Sequence, residues 1–294
     1  MRHKQPRATD AVLKVHADLH QRIAGLAARA RLSSRPLLRL PAKRPAEHLG
    51  CGVLLAVDSY RFLLTAAHVV DSFGGDPIHI AGEGVVVPVA GRAERTQPPP
   101  GQSRSDDPID AAVLRIENEW GNPPGLQFLQ MRDVSLREWM SPAGEYLLYG
   151  YPESKVSVDL PGKTIKGDHF QLVSPRASDS AMERAGLDQR LHVGFDLDTA
   201  AMMSTTGVRA APRPNGMSGC GVWELSQLRE PGVVLSGKLV AVFTEYRRAI
   251  KLGVAPRLAY FIEVIRQGWP ELSSKLGSHG AAPIRMTEVS PDDT

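Results

Sequence analysis

From residue 50 onward the chain is a series of short apolar runs separated by clusters of Gly, Pro, Asp and Ser. Runs of this length, rich in Val, Leu and Phe, predict β-strands rather than helices. The 27 Gly and 23 Pro of this 294-residue chain suit many tight turns. We therefore predict an all-β body. The runs are CGVLLAV (51–57), RFLLTAA (61–67), GVVVPVA (84–90), AAVLRI (111–116), EYLLYG (145–150), FQLVS (170–174), LHVGFDL (191–197), GCGVWEL (219–225) and KLVAVFTEY (238–246).

Helices are expected only at the two ends of this body. Apolar residues recur every three or four positions over 9–31, which predicts an amphipathic helix packed by its apolar stripe. A membrane-surface helix or a partner-docking arm remains an alternative. A second helix is expected over 256–268. We predict a linker over 32–46, where three prolines lie among basic residues, and a disordered tail over 271–294.

The net charge of +3 hides a strong asymmetry. Residues 1–45 hold eleven Lys and Arg against Asp10 and Asp18, which leaves 24 basic and 30 acidic residues elsewhere. Attraction to nucleic acid or to a membrane would therefore be confined to the N-terminal arm. Because the arm contains no aromatic residue for base stacking, nucleic acid is not expected as a partner. A docking partner for the basic helix is left open.

Cysteine usage and the N-terminus bear on location. The chain has two cysteines, Cys51 and Cys220, whereas small secreted enzymes are usually stapled by several disulfides. The first twenty residues lack the apolar stretch of a secretory signal, and no run approaches about 18 apolar residues. We expect a cytoplasmic protein without a transmembrane segment, with both thiols free.

Three segments together carry a recognisable chemistry. His68 ends the strand motif TAAH, Asp110 opens DAAVLRI, and Ser218 lies in the glycine-rich turn GMSGCG. A serine hydroxyl needs a base within hydrogen-bond reach, and a histidine oriented by a carboxylate supplies one. Glycines let backbone N–H groups turn towards a developing oxyanion. Each motif alone is weak, but their conjunction indicates nucleophilic hydrolysis.

Two other hydrolase classes are excluded by residue order and spacing. An α/β-hydrolase needs the order Ser, acid, His, and the only histidine after Ser218 is His279 in the polar tail. Among nine histidines none forms H-E-x-x-H, so a metal hydrolase is not indicated. We expect neither a metal nor another cofactor.

The motifs TAAHVV, DAAVLRI and GMSGCG resemble those of the chymotrypsin/trypsin-like serine peptidase superfamily, especially bacterial members with few disulfides. The resemblance covers residues 48–268, and Gly150-Tyr151-Pro152 is similar to a Gly-x-Pro element of the bacterial members. It implies a chymotrypsin-like double β-barrel over 47–270, with a first barrel over 47–140 and a second over 141–255.

The resemblance also implies a role for each motif residue. Ser218 would be the nucleophile, His68 the general base and acid, and Asp110 the residue that orients the histidine. Asp110 is preferred to its acidic neighbours Asp106 and Asp107 because the apolar strand begins directly after it. The backbone N–H groups of Gly216 and Ser218 would form the oxyanion hole. The implied activity is that of a serine endopeptidase acting on a protein or peptide.

Substrate-binding residues are implied less sharply. The run FTEY, which includes Phe243, Thr244 and Glu245, would pair with the substrate backbone and edge the specificity pocket. Thr244 would also hydrogen-bond Asp110. Arg213, near the position of the pocket floor, suggests acidic substrate side chains, whereas Glu245 suggests basic ones, so no preference follows.

Two departures from the family pattern qualify the expectation. Met217 stands where trypsin-like zymogens carry an Asp that pairs with a newly cleaved N-terminus, so activation of that kind is not expected. Cys220 replaces a glycine, and a side chain there would perturb the turn or crowd the oxyanion hole. The resemblance brings Cys51 near the same turn. The alternative function is a catalytically impaired binding or regulatory module with a peptidase fold.

Overall fold

The computed structural model describes residues 8–41, 45–82, 85–117, 125–137, 144–159, 164–167, 169–197, 201–204, 207–210, 214–226, 233–276 and 284–289. Within these residues the helices are α1 Ala8–Ser33, α2 Ala67–Phe73, α3 Asp179–Arg184, α4 Leu258–Gly268 and α5 Ser273–Leu276. The other elements longer than three residues are strands, so the predicted all-β class is confirmed. No helix of these ranges combines the length and the apolar character needed to cross a membrane.

The strands are short and follow one another closely along the chain. In order they are β1 Ser34–Arg39, β2 Glu47–Val57, β3 Tyr60–Ala66, β4 Ile78–Ala81, β5 Val86–Val89, β6 Ala93–Thr96, β7 Ala111–Ile116, β8 Glu145–Gly150, β9 Val156–Asp159, β10 Thr164–Gly167, β11 Phe170–Pro175, β12 His192–Asp196, β13 Ala201–Ser204, β14 Gly207–Ala210, β15 Gly221–Ser226, β16 Ser236–Val242, β17 Glu245–Arg247, β18 Leu252–Pro256 and β19 Met286–Val289.

The strands form two main antiparallel layers. The first sheet has the order β19-β6-β7-β3-β2-β1-β4-β5. The second has the order β14-β13-β11-β8-β15-β16, with a three-stranded sheet β12-β18-β17 beside it and a separate β10-β9 hairpin. The first sheet draws its strands from both ends of the chain, since β1 and β19 belong to it together with β2–β7.

Alternate residues of the central strands of the first sheet enter different cores. Val53 and Leu55 on β2 belong to a large core shared with the second sheet and α4, whereas Leu54 between them belongs to a smaller core under α2. Side chains alternate across a strand, so a strand buried on both faces reads as a continuous apolar run. This double burial explains why CGVLLAV has no polar alternation.

Helix α1 packs its C-terminal part on the second sheet. Ile23 and Leu26 are buried, and a Cβ on Gly237 in β16 would lie 2.7 Å from Leu26 Cδ2, so the glycine makes room for the helix. Arg29 donates from Nη1 to Asp133 Oδ1 over 3.0 Å and from Nη2 to Gly237 O over 3.1 Å. The predicted packing of an apolar stripe on the body is confirmed for this part of the helix.

The predicted linker over 32–46 is wrong in its first half. Ser34–Arg39 form β1, which pairs with β2 and β4. Leu37 and Leu38 are fully buried, and their contribution to the core outweighs the loop signal of the neighbouring proline and arginines. Pro36 lies just before the stretch that pairs with β4, where a missing N–H is tolerated.

The predicted disordered tail is also wrong in part. Leu272 and Leu276 are buried in the large core, and Met286–Val289 pair with β6 as the edge of the first sheet. The body therefore begins before residue 47 and continues beyond residue 270. The parts of the tail at 277–283 and 290–294 lie outside the described residues.

Candidate active site

His68 lies in the first turn of α2, directly after β3. The strand ends at Ala66 and the helix starts at Ala67, whose N–H donates to Asp110 O over 3.0 Å. Val69, the next residue of the helix, is fully buried in the small core. The sheet and this core therefore hold the histidine, whose side chain remains 38% exposed.

Asp110 directly precedes β7 and lies in the left-handed region, with a φ of +50°. Few residues other than glycine adopt this conformation, and Asp is among those that tolerate it. The backbone N–H of His68 donates to Asp110 Oδ1 over 2.9 Å, and His68 Nδ1 lies 2.6 Å from Asp110 Oδ2. An unfavourable backbone conformation fixed by several contacts is characteristic of functional sites.

The contact with Asp110 sets the protonation pattern of the His68 ring. An ionised carboxylate only accepts hydrogen bonds, so Nδ1 carries the proton in this pair. The lone pair of a neutral imidazole then lies on Nε2. A histidine in this state can accept a proton at Nε2 while the carboxylate stabilises the resulting imidazolium.

The three neighbouring acidic residues have separate partners. Asp106 caps a short turn by accepting the Ser103 hydroxyl over 2.6 Å, and its carboxylate is exposed. The hydrogen bond from Ser103 lowers the pKa of Asp106. Asp107 is buried. Only Asp110 of the three is bonded to His68.

The buried carboxylate of Asp107 supports the start of β7. It accepts Thr96 Oγ1 over 2.6 Å, Arg104 Nη1 over 2.8 Å and the Ile109 N–H over 3.0 Å. Thr96 Oγ1 in turn accepts the Ala111 N–H over 2.9 Å. The residues on both sides of Asp110 are thus tied to the buried pair of Asp107 and Thr96.

Ser218 lies in a loop of residues 215–221, which we call the serine loop. It contains two glycines in left-handed conformations, Gly216 at φ +78° and Gly219 at φ +91°. A Cβ on Gly219 would lie 1.8 Å from Cys51 O, so no other residue fits there. Gly219 N donates to Phe243 O over 2.6 Å. In the described part of the chain, the N–H groups of Gly216 and Ser218 donate to no protein acceptor. Both remain available to an anionic oxygen.

The Ser218 hydroxyl donates to Thr244 O over 3.1 Å. Among the described residues it makes no hydrogen bond to His68. Gly50 lies between the serine loop and α2: a Cβ on Gly50 would lie 2.8 Å from Val69 Cγ2 and 2.9 Å from Ser218 O. The structure brings the loop to the histidine-bearing helix with the hydroxyl turned towards Thr244.

The two cysteines are free and fully buried beneath the serine loop. Cys51 Sγ lies 3.4 Å from Gly216 O as a donor and accepts the Tyr151 N–H over 3.3 Å. Burial raises the pKa of Cys51 to about 12, and burial followed by repulsion from the neighbouring thiol raises the pKa of Cys220. The Cys220 side chain does not crowd the turn, because it fills the space that Gly150 leaves.

The residues predicted to bind substrate differ in the contacts that the structure gives them. Both backbone groups of Phe243 are engaged within the protein, since its N–H donates to Cys220 O and its carbonyl accepts Gly219 N. Phe243 therefore supports the serine loop, and its role in binding substrate stays a prediction. In the described structure Thr244 makes no hydrogen bond to Asp110; its carbonyl holds the serine hydroxyl instead. Arg213 lies outside the described residues.

A cleft of about 520 Å³ opens beside the histidine; its lining includes His68, Asp110, Thr244, Glu245 and Arg247. Glu245 is half-exposed and accepts Arg247 Nε over 3.0 Å. Glu245–Arg247 is β17, whose one neighbour among the described strands is β18. The cleft therefore has an open strand edge next to the histidine.

Some supports of the site were missed at the level of sequence. Thr96 and Asp107 gave no signal beyond an ordinary loop. The Gly150-Tyr151-Pro152 element is visible in the sequence. The hydrogen bond from the N–H of the following Glu153 to Asn215 O, over 3.0 Å, is visible only in the structure. The apolar residue Ile109, two positions after Asp107, was the one sequence feature that indicated burial of the Asp107 carboxylate. Among the described residues, no group of three or more His, Cys, Asp or Glu side chains could hold a metal ion.

The architecture is that of two antiparallel β-sheet systems, with His68 and Asp110 on the first and Ser218 on the second. Two sheet systems that each hold part of one candidate site are the arrangement that the resemblance of the motifs predicts. No protein-family model matches the sequence, and no curated protein matches it either.

Two solved structures are similar to this chain. Neuropsin, a serine protease expressed in the limbic system of mouse brain, has 16% identity and a TM-score of 0.47 over 81% of this chain and 94% of its own. The scabies mite inactivated protease paralogue S-I1 has 13% identity and a TM-score of 0.48 over 84% of this chain and 98% of its own. With TM-scores of 0.47 and 0.48, neither similarity carries a statement about the fold or the activity of this chain.

Proposed function

We propose that this chain is a cytoplasmic serine endopeptidase that hydrolyses peptide bonds through His68, Asp110 and Ser218 and needs no cofactor. One observation carries the proposal: the 2.6 Å contact of His68 Nδ1 with Asp110 Oδ2, beside a serine loop with two unengaged backbone N–H groups. The first feature provides a base of the correct tautomer, and the second provides electrostatic stabilisation of an oxyanion.

Acylation begins when the Ser218 hydroxyl turns from Thr244 O to His68 Nε2. Catalytic hydrogen bonds are often long or misaligned before substrate binds, so the resting contact of 3.1 Å to Thr244 O is compatible with this step. As Oγ bonds to the substrate carbonyl carbon, its proton passes to Nε2. The carbonyl π electrons move to oxygen, which accepts hydrogen bonds from Gly216 and Ser218 N–H.

The tetrahedral intermediate then collapses. The scissile C–N bond breaks, the departing nitrogen takes the proton from His68, and the acyl group remains on Ser218. Water attacks this ester with His68 again as base, which releases the carboxylic acid and returns the proton to Ser218. Throughout, Asp110 stabilises the imidazolium.

The open edge of β17 is the proposed partner for the substrate backbone, since an exposed strand edge offers unpaired N–H and C=O groups. Glu245 borders this edge, but its charge is offset by Arg247 at 3.0 Å. Glu245 alone therefore does not attract basic side chains. Met217 is fully buried and uncharged, so activation by a charge pair with a new N-terminus is not part of the proposal.

A fluorophosphonate probe tests the proposal, because it reacts only with an activated serine. We expect labelling of the wild type, none of Ser218→Ala, and full labelling of Ser226→Ala, which removes an exposed serine elsewhere on the second sheet. Labelling of Ser218→Ala at the wild-type rate would show that another residue reacts and would reject this assignment.

A second candidate is a binding or regulatory module with an impaired triad. The observation that favours it is the hydrogen bond of Ser218 Oγ to Thr244 O in place of one to His68. In that case the folded wild type would stay unlabelled and would cleave no peptide, while still binding a peptide in the cleft.

A further inference from the structure

Three carbonyl groups of residues 215–218 accept hydrogen bonds from two neighbouring segments, which contain Cys51 and Glu153. Asn215 O accepts the Glu153 N–H over 3.0 Å, Gly216 O accepts Cys51 Sγ over 3.4 Å, and Ser218 O accepts the Cys51 N–H over 2.7 Å. The bond at Asn215 O matters most, because that carbonyl belongs to the same planar peptide as the Gly216 N–H. A rotation of this peptide would replace a donor of the oxyanion hole by a carbonyl oxygen.

Gly150 sets the distance between the supporting segment and the serine loop. It ends β8, three residues before Glu153, and a Cβ at this position would lie 2.7 Å from Cys220 Cβ and 3.1 Å from Cys220 Sγ. It would also lie 3.1 Å from Met217 Cε, the flexible end of a side chain that can move. Cys220 Cβ is fixed to the backbone and cannot move without displacing the loop.

The glycine is needed for space and not for its backbone conformation. Gly150 is not among the described glycines with positive φ, so alanine can adopt its backbone without strain. Cys220 is fully buried, and its side chain occupies the space that the missing Cβ of Gly150 provides. The two positions therefore form a matched pair: one lacks a side chain because the other has one.

This inference rests on the proposed function: we propose that Gly150 and Cys220 are positioning residues for the oxyanion hole. Their packing aligns the Asn215–Gly216 peptide. The ion pair with a newly cleaved N-terminus that trypsin-like zymogens form is absent here, because Met217 stands in place of the Asp. Apolar packing of Met217 and Cys220 against Gly150 provides this alignment. The oxyanion hole is then formed as soon as the chain has folded.

The test is a double-mutant cycle with a fluorogenic peptide. Gly150→Ala separates the two segments, breaks the bond between Glu153 N and Asn215 O, and lowers kcat about 100-fold with KM changed less than about three-fold. Cys220→Gly alone removes the side chain that packs on Gly150 and lowers kcat by about ten-fold, less than Gly150→Ala. Gly150→Ala with Cys220→Gly removes the obstacle and restores kcat to within about five-fold of the wild type.

Gly237→Ala is the matched control. It crowds Leu26 at 2.7 Å, far from the serine loop, and so lowers the melting temperature without lowering kcat. Wild-type kcat in folded Gly150→Ala, or no recovery in the double variant, would overturn the proposal.

A crystal structure of Gly150→Ala separates this proposal from the proposed function. If the wild type neither cleaves peptides nor reacts with the probe, the proposed function fails. The positioning role is then decided by the Asn215–Gly216 peptide in the variant: displacement supports the role, and an intact bond from Glu153 N to Asn215 O overturns it.

Discussion

His68 is bonded twice to Asp110, through its ring Nδ1 to Oδ2 at 2.6 Å and through its backbone N–H to Oδ1 at 2.9 Å. Both carboxylate oxygens are therefore engaged by one residue, and the plane of the carboxylate is fixed relative to the helix that carries the histidine. The orientation of the imidazole is therefore fixed by the backbone bond of His68 as well as by the bond of its ring.

Replacing Asp110 by Asn should separate orientation from charge. An amide NH₂ facing Nδ1 would favour the wrong tautomer, and kcat should fall about 10³–10⁴-fold with little change in KM. Steady-state kinetics on a fluorogenic peptide checks this. Asp179→Asn, at an exposed ion pair with Arg176, is the control and should keep full activity. A loss below ten-fold in Asp110→Asn would contradict the assignment.

Asp107→Ala should destabilise the fold strongly. Its side chain is 1% exposed, and its loss leaves Arg104, Thr96 and the Ile109 N–H without this acceptor. We expect a decrease of about 3–5 kcal/mol in the free energy of unfolding, measured by urea denaturation. Asp58→Asn, at an exposed pair 3.3 Å from Lys275, removes the charge at a position whose φ of +56° asparagine tolerates, and should cost less than about 1 kcal/mol. Equal effects of the two changes would mean that the buried network is not structural.

Leu26→Ala tests the docking of α1. The side chain is 2% exposed against Gly237, so its truncation should cost about 2–4 kcal/mol of unfolding free energy. Gln21→Ala, on the exposed face of the same helix, should change it by less than about 0.5 kcal/mol. Chemical denaturation of both variants gives the comparison, and a wild-type midpoint for Leu26→Ala would refute the packing.

Stability should fall in mild acid because of His48. Burial lowers the pKa of His48 from 6.5 to about 4, so between these values the unfolded chain binds more protons than the folded one. The free energy of unfolding is then highest above pH 6.5 and decreases by about 3 kcal/mol as the pH falls to 4. His48→Leu should flatten this part of the profile in urea titrations at several pH values. An unchanged slope would assign the effect to other groups.

The two thiols should resist alkylation in the native state. Both are fully buried, and the pKa of Cys51 is raised to about 12, so almost no reactive thiolate exists near neutral pH. Iodoacetamide followed by mass spectrometry should find both unmodified in buffer and both modified in urea. Rapid native modification of Cys51 would contradict the burial that places it under Gly216.

The sequence predicted the strands and the turn around His68, Asp110 and Ser218 because each is dictated locally. A strand entering TAAH, a strand opening at Asp110 and a glycine-rich turn around Ser218 each combine periodicity with a residue type that the chemistry requires. The same local signals placed α1 and α4 close to their observed bounds. Nothing local could give the direction of the Ser218 hydroxyl, which depends on Thr244 from a different strand.

The failures share a different physical cause. Leu37 and Leu38 were read as part of a linker because Pro and Arg surround them, yet their burial between β2 and β4 decides the conformation. The fit of Gly150 to Cys220 joins residues 70 positions apart and becomes visible only when their strands are assembled. Such packing relationships leave no periodic trace along the chain.

The docking of α1 has a consequence for synthesis in the cell. The bond from Arg22 Nε to Val233 O spans 211 positions, so the helix emerges from the ribosome long before its docking surface exists. At about 5–20 residues per second, the interval is about 10–40 s. During that time Ile23 and Leu26 present an apolar stripe to the surroundings, and each nascent chain offers chaperones a site that the finished protein no longer has.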